Sequence, residues 1–314
     1  MSANKGIFRI GEERMNNHGC LMKIVEYNKA LDIIVEFQDK YKAKVHTNYA
    51  AFLKGNVKNP YMRLGEENIN NQGCLMKIIE YIDCMNVKVE FQDEYSYISN
   101  VRYDSFLKGK VKNPYHKSVC GVGMLGDKYP SGMNGVHTKE YKAWRTMLTR
   151  CFDKKYKDAN PAYKNVTCCE DWYLFDNFYE WLHSQDNFKK WYDGYRWNID
   201  KDIIVKHNKI YSPETCLLVP ENVNMLFTKC DNARGDFPIG VFKDGDGFCA
   251  MCSNQITKTH DRLGHYKTQE EAFLAYKSYK ESLIKQVAER EYKSGNITET
   301  CYNAMMNYEV EITD

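Results

Sequence analysis

The sequence predicts an α+β, multidomain chain: two tandem small β-barrel-like repeats, a ββα module, and a three-stranded sheet with a helix laid across it. Three observations carry this expectation. Residues 9–115 hold an internal duplication, the texture changes to helices with aromatic anchors after about residue 117, and a strand-strand-strand-helix pattern begins at Pro238. A length of 314 residues accommodates two to four compact units, each able to bury a core. The expected units are 6–61 and 62–115 for the repeats, 116–230 for the ββα module, 231–292 for the sheet and helix, and 293–314 for a C-terminal tail.

Composition excludes several classes. Charged residues at 27% and hydrophobic residues at 43% sit near the globular average, so the chain should fold. No apolar stretch approaches the roughly 18 to 20 residues that span a bilayer, and MSANKGIFRIGEE lacks the apolar core of a secretory signal. The expectation is therefore no membrane association and a cytoplasmic location. Twelve cysteines spread over a long chain without an export signal read as reduced, mostly buried thiols. The net charge of +2 is too small for bulk attraction to nucleic acid, and it divides into about +3 for residues 1–115, +3 for 116–230 and −4 for the rest. Any polyanion footprint must be local.

The duplication is the plainest signal. The run RIGEERMNNHGCLMKIVEY...VEFQDKY...Y..FLKGNVKNPY from Arg9 returns from Arg63, a period of 63 − 9 = 54, with 30 of 53 positions identical. Within each copy, residues 22–27 and 33–37, and then 76–81 and 87–91, show the β-branched and aromatic alternation of strands. Gly19, Gly55, Gly73 and Gly109 mark turns, and Pro60 and Pro114 close the copies. Short strands over this length fit a small Src-homology-3-like barrel. Each copy also offers Lys54, Lys58 and Asn59, or Lys108, Lys112 and Asn113, either to straddle a duplex backbone or to join Glu36, Gln38 and Asp39 in a protein-docking surface.

After residue 117, TKEYKAWRTMLTRCF places Tyr141, Trp144, Met147, Leu148 and Cys151 on one helical stripe behind a Thr138 cap, and residues 171–182 repeat the aromatic pattern. Both stripes read as core. The Gly121-Val122-Gly123-Met124-Leu125-Gly126 run lacks the Lys-Ser/Thr of a phosphate loop and reads as a flexible entry. From Pro238, strands over 239–242, 248–252 and 262–266, with a tight turn at residues 244–247, precede a long helix beginning near Thr268.

The segment WNIDKDIIVKHNKIYSPETCLLVPENVN, residues 197–224, reads as strand, polar hairpin over 206–209, second strand, and helix: a ββα order. Together with YKAWRTMLTRCF, Pro161-Ala162-Tyr163 and Trp172 with Phe175 and Phe178, it resembles the HNH-like, homing-endonuclease-type proteins encoded in phages of low-GC bacteria. PIGVF...FCAMCS...RLGHYKTQEEAFLAYK is similar to the ethylene-response-factor (Apetala-like) DNA-binding domain that such proteins carry at the C-terminus. The resemblance covers about residues 121–290. It implies a bacterial host cell and a protein of phage or mobile-element type that binds duplex DNA and carries a nuclease-like site.

Carried over by position, the resemblance implies Asp200 as the acidic metal ligand ending the first strand, and Asn222 or Asn224 as the helix ligand. Lys201 stands where an active HNH enzyme places its base histidine. An ordinary lysine is protonated at neutral pH and repels a divalent metal, though it can hold a phosphate. His207 or Asp202 are substitutes for the base. If the strand continues, Asp200 and Asp202 share one face and together bind Mg²⁺ or Mn²⁺ in an active site. No zinc is expected: Cys168, Cys169, Cys216 and Cys230 read as buried thiols, and Cys249 and Cys252, three apart on a strand, point to opposite faces. The available DNA-binding residues are Lys206 and Lys209 in the hairpin and Lys243, Lys258, His260, Arg262, His265 and Lys267 around the C-terminal sheet.

Three functions remain in view from the residues. The first is a DNA-binding protein that nicks DNA or has lost that activity, the second a phage accessory factor binding a host protein through residues 6–115, and the third a transcription regulator.

Overall fold

The computed structural model describes residues 9–194, 196–228 and 237–312. Packing divides the chain into two compact units, Met1–His116 and Lys117–Asp314, of mixed α and β structure.

In the first unit, β1 (Glu13–Met15), β2 (Leu21–Lys29), β3 (Asp32–Phe37) and β4 (Lys44–Thr47) form an antiparallel meander followed by the one-turn helix α1 (Tyr49–Leu53). The second meander has β5 (Glu67–Ile69), β6 (Leu75–Asp83), β7 (Asn86–Phe91), β8 (Ile98–Val101) and α2 (Tyr103–Leu107) in the same order. Alternation places Met22, Ile24, Ile33, Val35 and Phe37 under Phe52, and Met76, Ile78, Val87, Val89 and Phe91 under Phe106. The expected barrels do not form. Among the described residues neither sheet closes, because four short strands end in a helix that covers the apolar face instead of a strand that returns to the first.

Several residues that the two copies share are internal struts. Asn16 accepts the N–H groups of His18 and Cys20 and donates to the Val57 carbonyl at 2.9 Å; Asn70 does the same with Gln72, Cys74 and Val111. Asn59 and Asn113, 4% and 2% exposed, donate at 2.6 Å to Asp39 and Asp93, which corrects their reading as surface donors for DNA or a partner.

The second unit begins with a Gly-rich run that is docked rather than flexible. The buried carboxylate of Asp176 accepts the N–H groups of Asp127, Lys128 and Tyr129 at 3.1, 3.3 and 3.2 Å. Gly126, at φ +76°, is required there, since a Cβ would lie 2.0 Å from that carboxylate. The small hairpin β9 (Gly132–Met133) and β10 (Val136–His137) leads to α3 (Lys139–Phe152), whose Thr138 cap accepts from Tyr141 N–H at 3.2 Å, and then α4 (Lys154–Ala159). After β11 (Thr167–Cys168), the expected helix over 171–182 is a 3₁₀ turn, Glu170–Tyr173, followed by α5 (Phe175–His183), and α6 (Phe188–Asp193) follows.

Strand β12 (Trp197–Asp200) pairs antiparallel with β14 (Leu217–Pro220), while β13 (Ile210–Tyr211) pairs parallel with β11. The following helix, α7 (Glu221–Asn224), is one turn. Then come β15 (Val241–Asp244), β16 (Gly247–Ser253), β17 (His260–Tyr266), the long α8 (Gln269–Lys293) and α9 (Glu299–Met306). Thr268 and Glu271 form a reciprocal capping box at the start of α8.

The expected divisions near 230 and 292 fall inside this unit. One core joins Leu217, Val219 and Val223 to Val241, Ala250, Ile284 and Val287, and continues to Met305 and Val310. The C-terminal tail joins this core through Ile297, Cys301, Met305 and Val310.

Removing the Asn70 amide leaves the half-buried Gln72 and Cys74 N–H groups and the buried Val111 carbonyl without their partner. Asn70→Ala is expected to cost about 1 to 3 kcal/mol, read by urea denaturation of a 1–116 fragment followed by circular dichroism.

Candidate functional site

The β12 strand stops at Asp200 because that side chain turns the backbone. Asp200, 9% exposed, accepts the N–H groups of Asp202 and Ile203 at 2.8 and 2.9 Å with one oxygen. The strand does not run on to Asp202, so the expected shared face of Asp200 and Asp202 is not formed. Burial lifts the Asp200 carboxyl above the ordinary aspartate range, against the lowering effect of the two backbone N–H groups.

Lys201 is 6% exposed. Its Nζ donates to both Asp202 oxygens at 2.7 Å and to the Asn208 carbonyl at 2.9 Å, and it lies 5.7 Å from the centre of the Tyr211 ring. Asn208 closes the loop by donating to the Lys201 and Ile210 carbonyls at 2.8 and 2.7 Å. The bridging loop is therefore built around an internal lysine-aspartate pair.

Asp200, Lys201 and Asp202 line a cleft of about 510 Å³ that also takes in Arg150, Tyr163, Lys206, His207, Lys209, Tyr211, Asn224, Phe227 and Tyr308. Of the two asparagines, Asn224 lines the cleft, whereas Asn222 donates to Glu291 at 2.8 Å and does not line it. Lys206 donates to the Glu309 carbonyl at 2.8 Å and pairs with Glu311 at 3.3 Å; His207, at φ 62°, lies 3.6 Å from the same carboxylate. Lys209 is exposed. Arg150, which the sequence reading passed over, enters from the last turn of α3 and donates to the Tyr211 hydroxyl at 3.3 Å. Its signal in the sequence was slight: a basic residue beside the apolar stripe of an amphipathic helix is also what the helix dipole favours.

A divalent metal fits this arrangement poorly. Both oxygens of Asp202 are paired with an ammonium whose charge repels a divalent ion, Asp200 spends one oxygen on backbone N–H groups in a site that disfavours its charge, and Asn222 is engaged elsewhere. Among the described residues no group of three His, Cys, Asp or Glu side chains is placed to hold a metal ion. Cys168 and Cys216 are buried in the aromatic core, Cys169 is half-buried beside it, and Cys230 lies outside the described residues.

On the C-terminal sheet, cross-strand register assigns the faces. Phe242, Cys249 and His265 share one face with Asp244, Met251 and Arg262, while Val241, Ala250 and Cys252 pack toward α8. Asp244 engages both candidates on the open face: its carboxylate binds Arg262, and its carbonyl lies 3.0 Å from His265 Nε2. Lys243 takes the register of Phe248 and lies 4.5 Å over that ring, on the helix side. Lys258 sits in the turn before β17 with its Nζ 3.4 Å from the Gln255 side chain, His260 bonds Ser253 at 2.9 Å, and Lys267 follows the last strand, exposed. Among the described residues, Arg262 and His265 on the open face are both engaged by Asp244.

No known protein family, curated protein or solved structure matches the chain. No helix among the described residues is long and apolar enough to cross a membrane.

Because ionised Asp200 is disfavoured by burial, the folded state bears a cost above its raised folded pKa, and that cost disappears once the pH falls below the unfolded value near 4. Asp200→Asn retains an acceptor for both N–H groups and removes the charge. Its melting temperature should exceed that of the parent at pH 7, with the difference shrinking toward pH 4; a lower value at pH 7 contradicts this account.

Proposed function

We propose that the chain binds duplex DNA through the cleft at the end of β12, and that this cleft belongs to a ββα, HNH-like site that has lost cleavage, in a protein of phage or mobile-element type. The observation that carries the reading is that Arg150 and Lys209 line one concavity in which the nearby carboxylate of Asp202 is already paired with Lys201. Cations collected in a cleft act on a phosphate backbone despite a small net charge on the whole protein.

The loss of cleavage follows from the same geometry. A general base must be unprotonated and free to face water, and a metal needs open carboxylate oxygens. The Lys201–Asp202 pair satisfies neither requirement. The C-terminal sheet is a weaker candidate for base reading because Asp244 holds Arg262 and His265.

For residues 9–116 the reading is a protein-facing unit. Equivalent positions of the two meanders expose Met15, Leu21 and Leu53, and Ile69, Leu75 and Leu107, while their shared asparagines face inward.

Incubation with supercoiled plasmid and Mg²⁺ or Mn²⁺ should give a mobility shift that weakens as salt is raised, with no nicked product, and a chain lacking residues 1–116 should behave alike. Lys209→Ala should lower the slope of log affinity against log salt by about 1. Nicking that disappears in Asp200→Ala would overturn the non-cleaving reading, and absence of any shift would overturn DNA binding.

A further inference from the structure

The cations of the cleft are not equivalent. Lys201 is neutralised by Asp202, and Lys206 faces Glu311 and the Glu309 carbonyl. Arg150 has no carboxylate partner among the described residues. Its hydrogen bond goes to the neutral Tyr211 hydroxyl, its guanidinium carbon stands 5.4 Å from the Tyr163 ring centre, and its Nε is buried with no acceptor.

A guanidinium stays charged under all ordinary conditions, so a recessed one without a counterion is costly, and an anion arriving from outside relieves that cost. The surrounding groups describe the anion. Arginine presents parallel N–H donors suited to phosphate oxygens, the Lys209 ammonium adds a second positive charge, and Tyr163, Tyr211, Phe227 and Tyr308 supply aromatic wall. A cleft of about 510 Å³ lies within the range of small-ligand sites and has room for one nucleotide rather than two paired strands. The carboxylates present oppose an anion little: Asp202 is held by Lys201, and Asp200 turns an oxygen onto backbone N–H groups.

We propose that the cleft grips the terminal phosphate of a nucleic-acid strand, as at a nick or an end, with Arg150 as its principal ligand and Lys209 as the second. This rests on the reading of the cleft as a DNA site and names the DNA feature that it takes. A terminal phosphate presents three unesterified oxygens and a second negative charge, which an internal phosphodiester lacks, and a strand end can enter a recess that a continuous duplex bridges.

The test is fluorescence anisotropy of the full chain with three duplexes of one sequence: intact, nicked with a 5′-phosphate, and nicked with a 5′-hydroxyl. The phosphate nick should bind at least about tenfold more tightly than the hydroxyl nick, and Arg150→Lys should abolish that preference. Inorganic phosphate should raise the melting temperature of the parent and not that of Arg150→Lys, whose own melting curve shows that it folds. Equal affinity for the two nicks alongside binding of intact duplex overturns this inference and leaves the broader reading standing. A preference that survives Arg150→Lys overturns the assignment to Arg150, and failure to bind any of the three overturns both readings.

Discussion

The second unit depends on β14 being buried on both faces. Leu217 and Val219 point into the core shared with α8 and the C-terminal sheet, and Cys216 and Leu218 into the aromatic core of α3 and α5. Because successive side chains alternate, one short strand joins two cores, and a slip of one residue would exchange their contents. The ladder from β14 to β12 then sets Asp200 opposite Leu217, and Asn187 braces the same strand by donating to the Leu218 carbonyl at 2.8 Å. Asp200 and the start of the loop after it take their position from that strand.

On this frame the loop after Asp200 is organised around charge. An ammonium with 6% exposure is tolerable only with acceptors on hand, and Asp202 and the Asn208 carbonyl provide them. The pairing sets an ammonium against both oxygens of Asp202, and its charge opposes a metal ion there. It also removes from Lys201 the freedom to act on an incoming group, and Lys206 is drawn to Glu311, so that among the described lining residues Arg150 and Lys209 have no carboxylate against them.

Much of the fold was legible because its signals are local. The Thr138 cap, the stripe from Tyr141 to Cys151, the strands around the Asp244–Gly247 turn and the Thr268 capping box each depend on neighbours in sequence. The 54-residue period located two matching meanders, yet strand pattern alone does not say whether a sheet closes, and here α1 and α2 cover the faces instead. The division of cores was hidden for a similar reason: alternating Leu217, Leu218 and Val219 read as one buried strand whatever lies on its two sides. Asp200 and Lys201, carried over by position from the resemblance, both line the cleft, while the Asx turn that ends β12 and the placing of Asn224 rather than Asn222 at the cleft emerge only in three dimensions. The docking of the segment after the Gly-rich run is not legible locally because its partner, Asp176, lies about fifty residues away.

Amide hydrogen exchange of the full chain, with and without a DNA duplex, tests the central claim most directly. The account predicts slowed exchange in residues 198–211 and around Arg150 and Tyr163 when DNA is present. Protection confined to residues 241–266 or to residues 9–115, with the cleft unchanged, would contradict it.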